Sequence, residues 1–241
     1  MNGRSVPGMS GGATPDTTLH PWWEPLRTEM SAHGRIQDAI AMQAYMKGIA
    51  PFLGIKTPAR RALFKAHLAL SGTPSMVELP AVVRAAFAQP EREWHYCAVD
   101  LLVKQARKLG PEHLPLLEEL ITAKSWWDTV DLLASNVVGV VLKRYPDAVA
   151  RWNQRWVDSP DRWLNRTAIL FQLKWKHDTE EALLFANVRQ HAAHPDFFIR
   201  KAIGWALRAY SISAPLAMER FVAQQNLSPL SRHEALRLMQ V

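Results

Sequence analysis

The residues best suited to chemistry lie close together in one stretch, Lys124-Ser125-Trp126-Trp127-Asp128-Thr129-Val130-Asp131. Trp127 and Asp131 are four positions apart, which on a helix places them one above the other on a single face. Ser125 is a candidate N-cap for that helix, and Asp128 in the first turn complements the helix dipole. Val130, Ala134, Val137, Val138 and Val141 continue an apolar stripe along the same element. Asp131 therefore sits beside or within a surface that should face other helices, where an unpaired carboxylate is costly. The plain reading is a carboxylate buried against an arginine. The other is a carboxylate kept for general-base or electrostatic work.

A second segment, Asp161-Arg162-Trp163-Leu164-Asn165-Arg166, supplies the complementary charge. Trp163, Arg166 and Leu170 share a face, so Arg166 lies on a packed side and needs an anion, either Asp131 or a phosphate. A third segment runs from Phe197 to Arg208. Ile199, Ile203, Ala206 and Tyr210 form its stripe, with Trp205 on a neighbouring flank. Gly204 in mid-helix costs ~1 kcal/mol relative to alanine, a cost that close helix packing or a nearby ligand would justify. Cations are spread over many elements, Arg60, Arg61, Lys65, Lys104, Arg107, Lys143, Arg144, Lys174, Arg200, Lys201 and Arg208 among them. Most such charges solvate a surface, but several at helix ends could track phosphates.

The elements that must hold these residues are helices. Apolar residues recur at three- and four-residue spacing and no alternating strand pattern is present. Glycine and proline breaks divide the chain into about a dozen helices, starting near Gly34, Thr57, Ser75, Glu91, Pro111, Trp126, Pro146, Pro160, Thr179, Asp196, Pro215 and Pro229. Ser159 and Ser228 are placed to cap the helices after them. Helix pairs recurring about every 35–40 residues predict an all-α fold, an α-solenoid of HEAT-like antiparallel pairs with a concave face; an irregular bundle is the alternative.

Composition narrows the possibilities. The 241 residues are 48% hydrophobic, enough for a substantial core. Residues 1–20 read as a disordered tail without an apolar secretory core, and 21–241 as one domain. The longest apolar run, Val137 to Leu142, is far too short to cross a bilayer. A single cysteine, Cys97, rules out a disulfide within the chain, and its apolar surroundings read as a buried small side chain. The nine histidines are scattered without zinc spacing, so no metal and no cofactor are expected. No phosphate-binding glycine loop or nucleophile elbow is present. A net charge of +7 and ten tryptophans raise the odds of a polyanionic partner.

Taken in order, four segments resemble the AlkD-like family of DNA alkylation repair enzymes. They are Tyr45-Met46-Lys47 with Pro51-Phe52-Leu53-Gly54-Ile55-Lys56-Thr57-Pro58, then Ser125 to Asp131, then Asp161 to Arg166, then Phe198 to Leu207. The resemblance covers about residues 33–238. It implies a monofunctional glycosylase acting on N3- and N7-alkylpurines such as 3-methyladenine and 7-methylguanine in duplex DNA, with the lesion left stacked rather than flipped. It implies that Trp127, Asp131 and Trp205 are the catalytic aromatic and carboxylate residues, that Arg166 contacts the DNA backbone, and that Tyr45 is an aromatic beside the DNA. Lys56, Arg200 and Lys201, within the matching segments, are the further DNA-binding candidates. A monomer in the cytoplasm, with no membrane partner, completes the expectation. The competing readings are a non-catalytic HEAT-repeat nucleic-acid-binding or scaffold protein and a protein-interaction adaptor.

Overall fold

The structure is a computed structural model and describes residues 18–239. Residues 1–17 lie outside the described residues, and with them most of the tail expected at 1–20. Of that stretch Leu19 is buried in the core, and His20 caps a short 3-10 turn through its Nδ1.

Among the described residues every regular element is helical. In chain order they are α1 (Glu24–His33), α2 (Ile36–Tyr45), α3 (Thr57–Ser71), α4 (Leu79–Ala88), α5 (Arg92–Gln105), α6 (Leu114–Thr122) and α7 (Trp127–Leu133). There follow α8 (Gly139–Arg144), α9 (Val149–Val157), α10 (Arg162–Leu170), α11 (Glu181–His191), α12 (Phe197–Ser211), α13 (Pro215–Gln224) and α14 (Pro229–Leu236). Most begin within a few residues of a glycine or proline break, as expected. Pro58, Pro80, Pro115, Pro215 and Pro229 occupy the first helical turn, where a missing N–H costs nothing. The helix α1 has no counterpart among the expected starts.

The packing is that of an α-solenoid. Helices α3, α5, α7, α10, α12 and α14 form one layer, named the inner layer for the site residues it carries, in which each touches the next. Helices α4, α6, α9, α11 and α13 form a second layer, each behind its own partner. The repeat is visible in bonds that link equivalent places in successive pairs. Arg84 with Glu119, Arg92 with Asp128, Asp131 with Arg166, and Asn153 with Asn187 are separated by 35, 36, 35 and 34 residues. Side chains buried between the layers, such as Leu101, Leu117, Val137, Trp156 and Phe171, make the core continuous from pair to pair. A second cluster around Ile203, Leu207 and Phe221 closes the C-terminal end.

Two local details differ from the sequence reading. Ser125 does not cap α7: its hydroxyl donates to the Ile121 carbonyl at 2.7 Å, and Trp126 occupies the cap position without a side-chain bond. At α10 the cap is Asp161, whose carboxylate accepts from the backbone of Trp163 and Leu164, while Ser159 accepts from Asp161. Ser228 caps α14 as expected.

Candidate active site

Helix α7 starts after a sharp reversal at Lys124, a lysine with φ of 47° in the left-handed region. It runs for two turns and passes into a π-helical segment at Ala134–Val138 before continuing as α8. Widening of the helix there disturbs the i to i+4 ladder. Side chains make up the loss: the Ser135 hydroxyl donates to the Asp131 carbonyl at 2.7 Å and the Asn136 amide to the Leu132 carbonyl at 3.2 Å. Asp131 is thus fixed in the last regular turn before the bulge, and Trp127 is the first residue of the helix.

From the next inner helix, α10, Arg166 reaches Asp131 side-on. Its Nε donates to one carboxylate oxygen at 2.6 Å and Nη2 to the other at 2.8 Å. The remaining nitrogen donates to the Phe198 carbonyl. The guanidinium carbon lies 5.6 Å from the centre of the Trp205 ring and 6.0 Å from that of Phe198. Asp131, Arg166 and Trp205, on three consecutive inner helices, are therefore in one contact chain. The Asp131 side chain is 16% exposed and that of Arg166 2%. Burial pushes the Asp131 carboxyl above the ordinary range for an aspartate; the hydrogen bonds and charge of Arg166 pull it back, and the charge of Asp128 adds to the rise.

Trp127 and Tyr45 line a cleft of about 440 Å³ with Met42, Met46, Phe52 and Tyr96. The cleft exists because α2 is brought against the loop before α3. Gly54, with φ of 87°, lies so close to α2 that a Cβ there would sit 2.0 Å from the Arg35 carbonyl oxygen. The carboxylate of Glu93 receives the backbone N–H groups of Leu53, Gly54 and Ile55 at 3.0, 2.9 and 3.1 Å and fixes this loop. Tyr45 itself is 72% exposed at the end of α2.

The basic candidates are placed less uniformly. The Lys56 side chain is exposed and lies 2.9 Å from Asp38. Arg200 donates to the His194 carbonyl at 3.0 Å. Lys201 is turned onto Glu234, which also holds Arg208. Arg166 has every nitrogen engaged inside the protein and its side chain is only 2% exposed, so it is placed to hold Asp131 rather than to meet a phosphate. Sequence reasoning missed Arg92 and Tyr96, which hold Asp128, because their partner lies a full repeat away. Among the described residues no group of three His, Cys, Asp or Glu side chains could hold a metal, and no helix is long and apolar enough to cross a membrane.

What this arrangement offers is a nearly buried carboxylate, oriented by a bidentate arginine, with half-buried tryptophans on its own helix and two inner helices away. The family model described as DNA alkylation repair enzyme matches residues 26–239. A solved structure described as a predicted DNA alkylation repair enzyme from Enterococcus faecalis is similar, with a TM-score of 0.81 and 30% sequence identity over 86% of this chain and 97% of that one. No curated protein matches.

Proposed function

The chain belongs to the family of DNA alkylation repair enzymes, and from that premise we propose that it is a monofunctional DNA glycosylase for positively charged N3- and N7-alkylpurines in duplex DNA. Alkylation at these nitrogens puts a positive charge on the purine. As the bond from C1′ to N9 breaks, its electron pair neutralises that charge and the base leaves without needing a proton. The sugar becomes cationic, and that developing charge is what the protein must stabilise.

The observation that carries this reading is the carboxylate of Asp131, held side-on by Arg166 and left partly open. Each carboxylate oxygen has a lone pair beyond the one given to Arg166. Those lone pairs can face the cationic sugar and take the proton of the water that adds to C1′. Arg166 acts as a positioning residue: it orients the carboxylate and opposes the cost of burying its charge. The faces of Trp127 and Trp205 favour a cation close by. Exposed cations, Lys56 among them, hold the phosphates. Release of free alkylated base from a methylated duplex, without strand cleavage by the protein, tests this reading; absence of release for both N7-methylguanine and N3-methyladenine would contradict it.

A further inference from the structure

One buried cation organises the start of α7. Arg92, the first residue of α5, is fully buried. A guanidinium has five N–H donors, and here all five are used. Nε donates to Asp128 at 3.0 Å, and Nη2 to the other Asp128 oxygen at 2.5 Å and to the Thr129 hydroxyl at 2.9 Å. Nη1 donates to the Lys124 carbonyl at 2.7 Å and to Nδ1 of His95 at 3.1 Å. The hydroxyl of Tyr96 donates to Asp128 at 2.6 Å. Residues on both sides of Trp126 and Trp127 are therefore tied to α5 through Arg92: Lys124 at the left-handed reversal, Asp128 and Thr129 in the first turn. Lys124 is tied a second time, its Nζ donating to the carbonyls of Ala88 and Gln89 at 2.9 and 2.6 Å. Trp127 has no side-chain hydrogen bond of its own in this arrangement, and Asp131 lies one turn further along the same helix.

We propose that Arg92 and Tyr96 are positioning residues for the excision reaction, which through Asp128 fix the first turn of α7 and so set the places of Trp127 and Asp131 relative to Arg166. The proposal rests on the glycosylase reading. A small rotation of a two-turn helix moves Trp127 and Asp131 together, whereas Arg166 stays on α10. The resulting misplacement of reacting groups lowers the rate of the chemical step without weakening the hold on the duplex.

Arg92 itself is unsuited to the test, since its removal leaves Asp128 and several carbonyls unpaired. Tyr96→Phe keeps the ring, removes one hydrogen bond and is the cleaner variant; Asp128→Asn keeps the shape but leaves the buried Arg92 charge without its counter-ion, so its rate is read against its Tm. The measurement is the single-turnover rate of N7-methylguanine release at saturating enzyme, with duplex affinity and Tm recorded for each variant. Expected are a roughly three- to tenfold slower rate for Tyr96→Phe and about 10–100-fold for Asp128→Asn, with Kd for undamaged duplex within about twofold of the parent. Parental rates in both variants would overturn the proposal while leaving the glycosylase reading intact. So would losses of rate that only follow the fraction unfolded. No release by the parent protein would remove the glycosylase reading and this inference with it.

Discussion

Arg166 holds Asp131 by two parallel hydrogen bonds, 2.6 and 2.8 Å long, across 35 residues of sequence and from one inner helix to the next. The pair accounts for how an ionised carboxylate is kept in a position that burial disfavours. It also couples the geometry of the site to the stacking of the solenoid.

The coupling predicts different outcomes for two substitutions of the arginine. Arg166→Ala strands Asp131 with no counter-charge and should lower stability by about 3–5 kcal/mol. Arg166→Lys keeps a charge but loses the planar fork, so excision should slow by about 10–100-fold with a much smaller change in stability. Urea unfolding and single-turnover kinetics on the two variants check this.

The excision rate should fall on the acid side at a higher pH than an ordinary aspartate would impose. The working form is the carboxylate, and burial holds its pKa above the ordinary value of about 3.9. Protonation therefore removes the negative charge earlier as pH falls. A single-turnover rate profile of the parent protein should show this limb, and Arg166→Lys, with a looser partner, should move it further up.

Stability should decline with acid because of His95. Burial first, and then the charge of Arg92, push its pKa down to about 3. Its Nδ1 accepts from Arg92 and its Nε2 donates to the Gln89 carbonyl, an arrangement only the neutral ring satisfies. The unfolded chain takes up a proton near pH 6.5 while the folded one does not. The contribution is complete above pH 6.5 and lost below it, at about 1.4 kcal/mol per pH unit until the folded value is reached. Burial shifts His67 and His191 in the same direction. Urea unfolding across this range should show the slope, and His95→Gln should flatten it.

The tryptophans should matter in proportion to their ring faces. A cation near an aromatic face is worth about 0.5–2 kcal/mol, so Trp127→Ala and Trp205→Ala should each slow release by about 2–30-fold. Trp127→Phe and Trp205→Phe should recover part of the loss. Single-turnover rates on folded variants decide it.

Gly204 is required by the close approach of α12 and α14. A Cβ there would lie 2.4 Å from the Glu234 Cβ and 3.0 Å from the Ser231 carbonyl oxygen. Gly204→Ala should cost about 1–3 kcal/mol despite alanine's better helix propensity, readable as a fall in Tm.

Much of this was legible from residue types. Glycine and proline breaks located most helix starts, and the spacing of helix pairs pointed to the repeat that the Arg84–Glu119 and Arg92–Asp128 bonds display. An arginine on the packed face of α10 and a carboxylate on that of α7 had to find partners, and they found each other. What stayed hidden depends on distant partners. Arg92 and Glu93 look like surface charges in sequence, yet both are fully buried. Glu93 meets three backbone N–H groups some 40 positions earlier in the chain, and Arg92 meets Asp128 on the next repeat. Lys201 looked free to meet DNA because nothing local marks Glu234 as its partner. The caps at Ser125 and Ser159 were misplaced because Trp126 and Asp161 stand closer to the first helical turns that actually form.

The most direct test of the central claim is release of N7-methylguanine from methylated duplex DNA by the parent protein and by Asp131→Asn, with duplex affinity measured alongside. The account predicts free base from the parent, almost none from the variant, and the same affinity for both. Equal release by the two proteins would contradict the role given to Asp131, and no release by either would contradict the glycosylase itself.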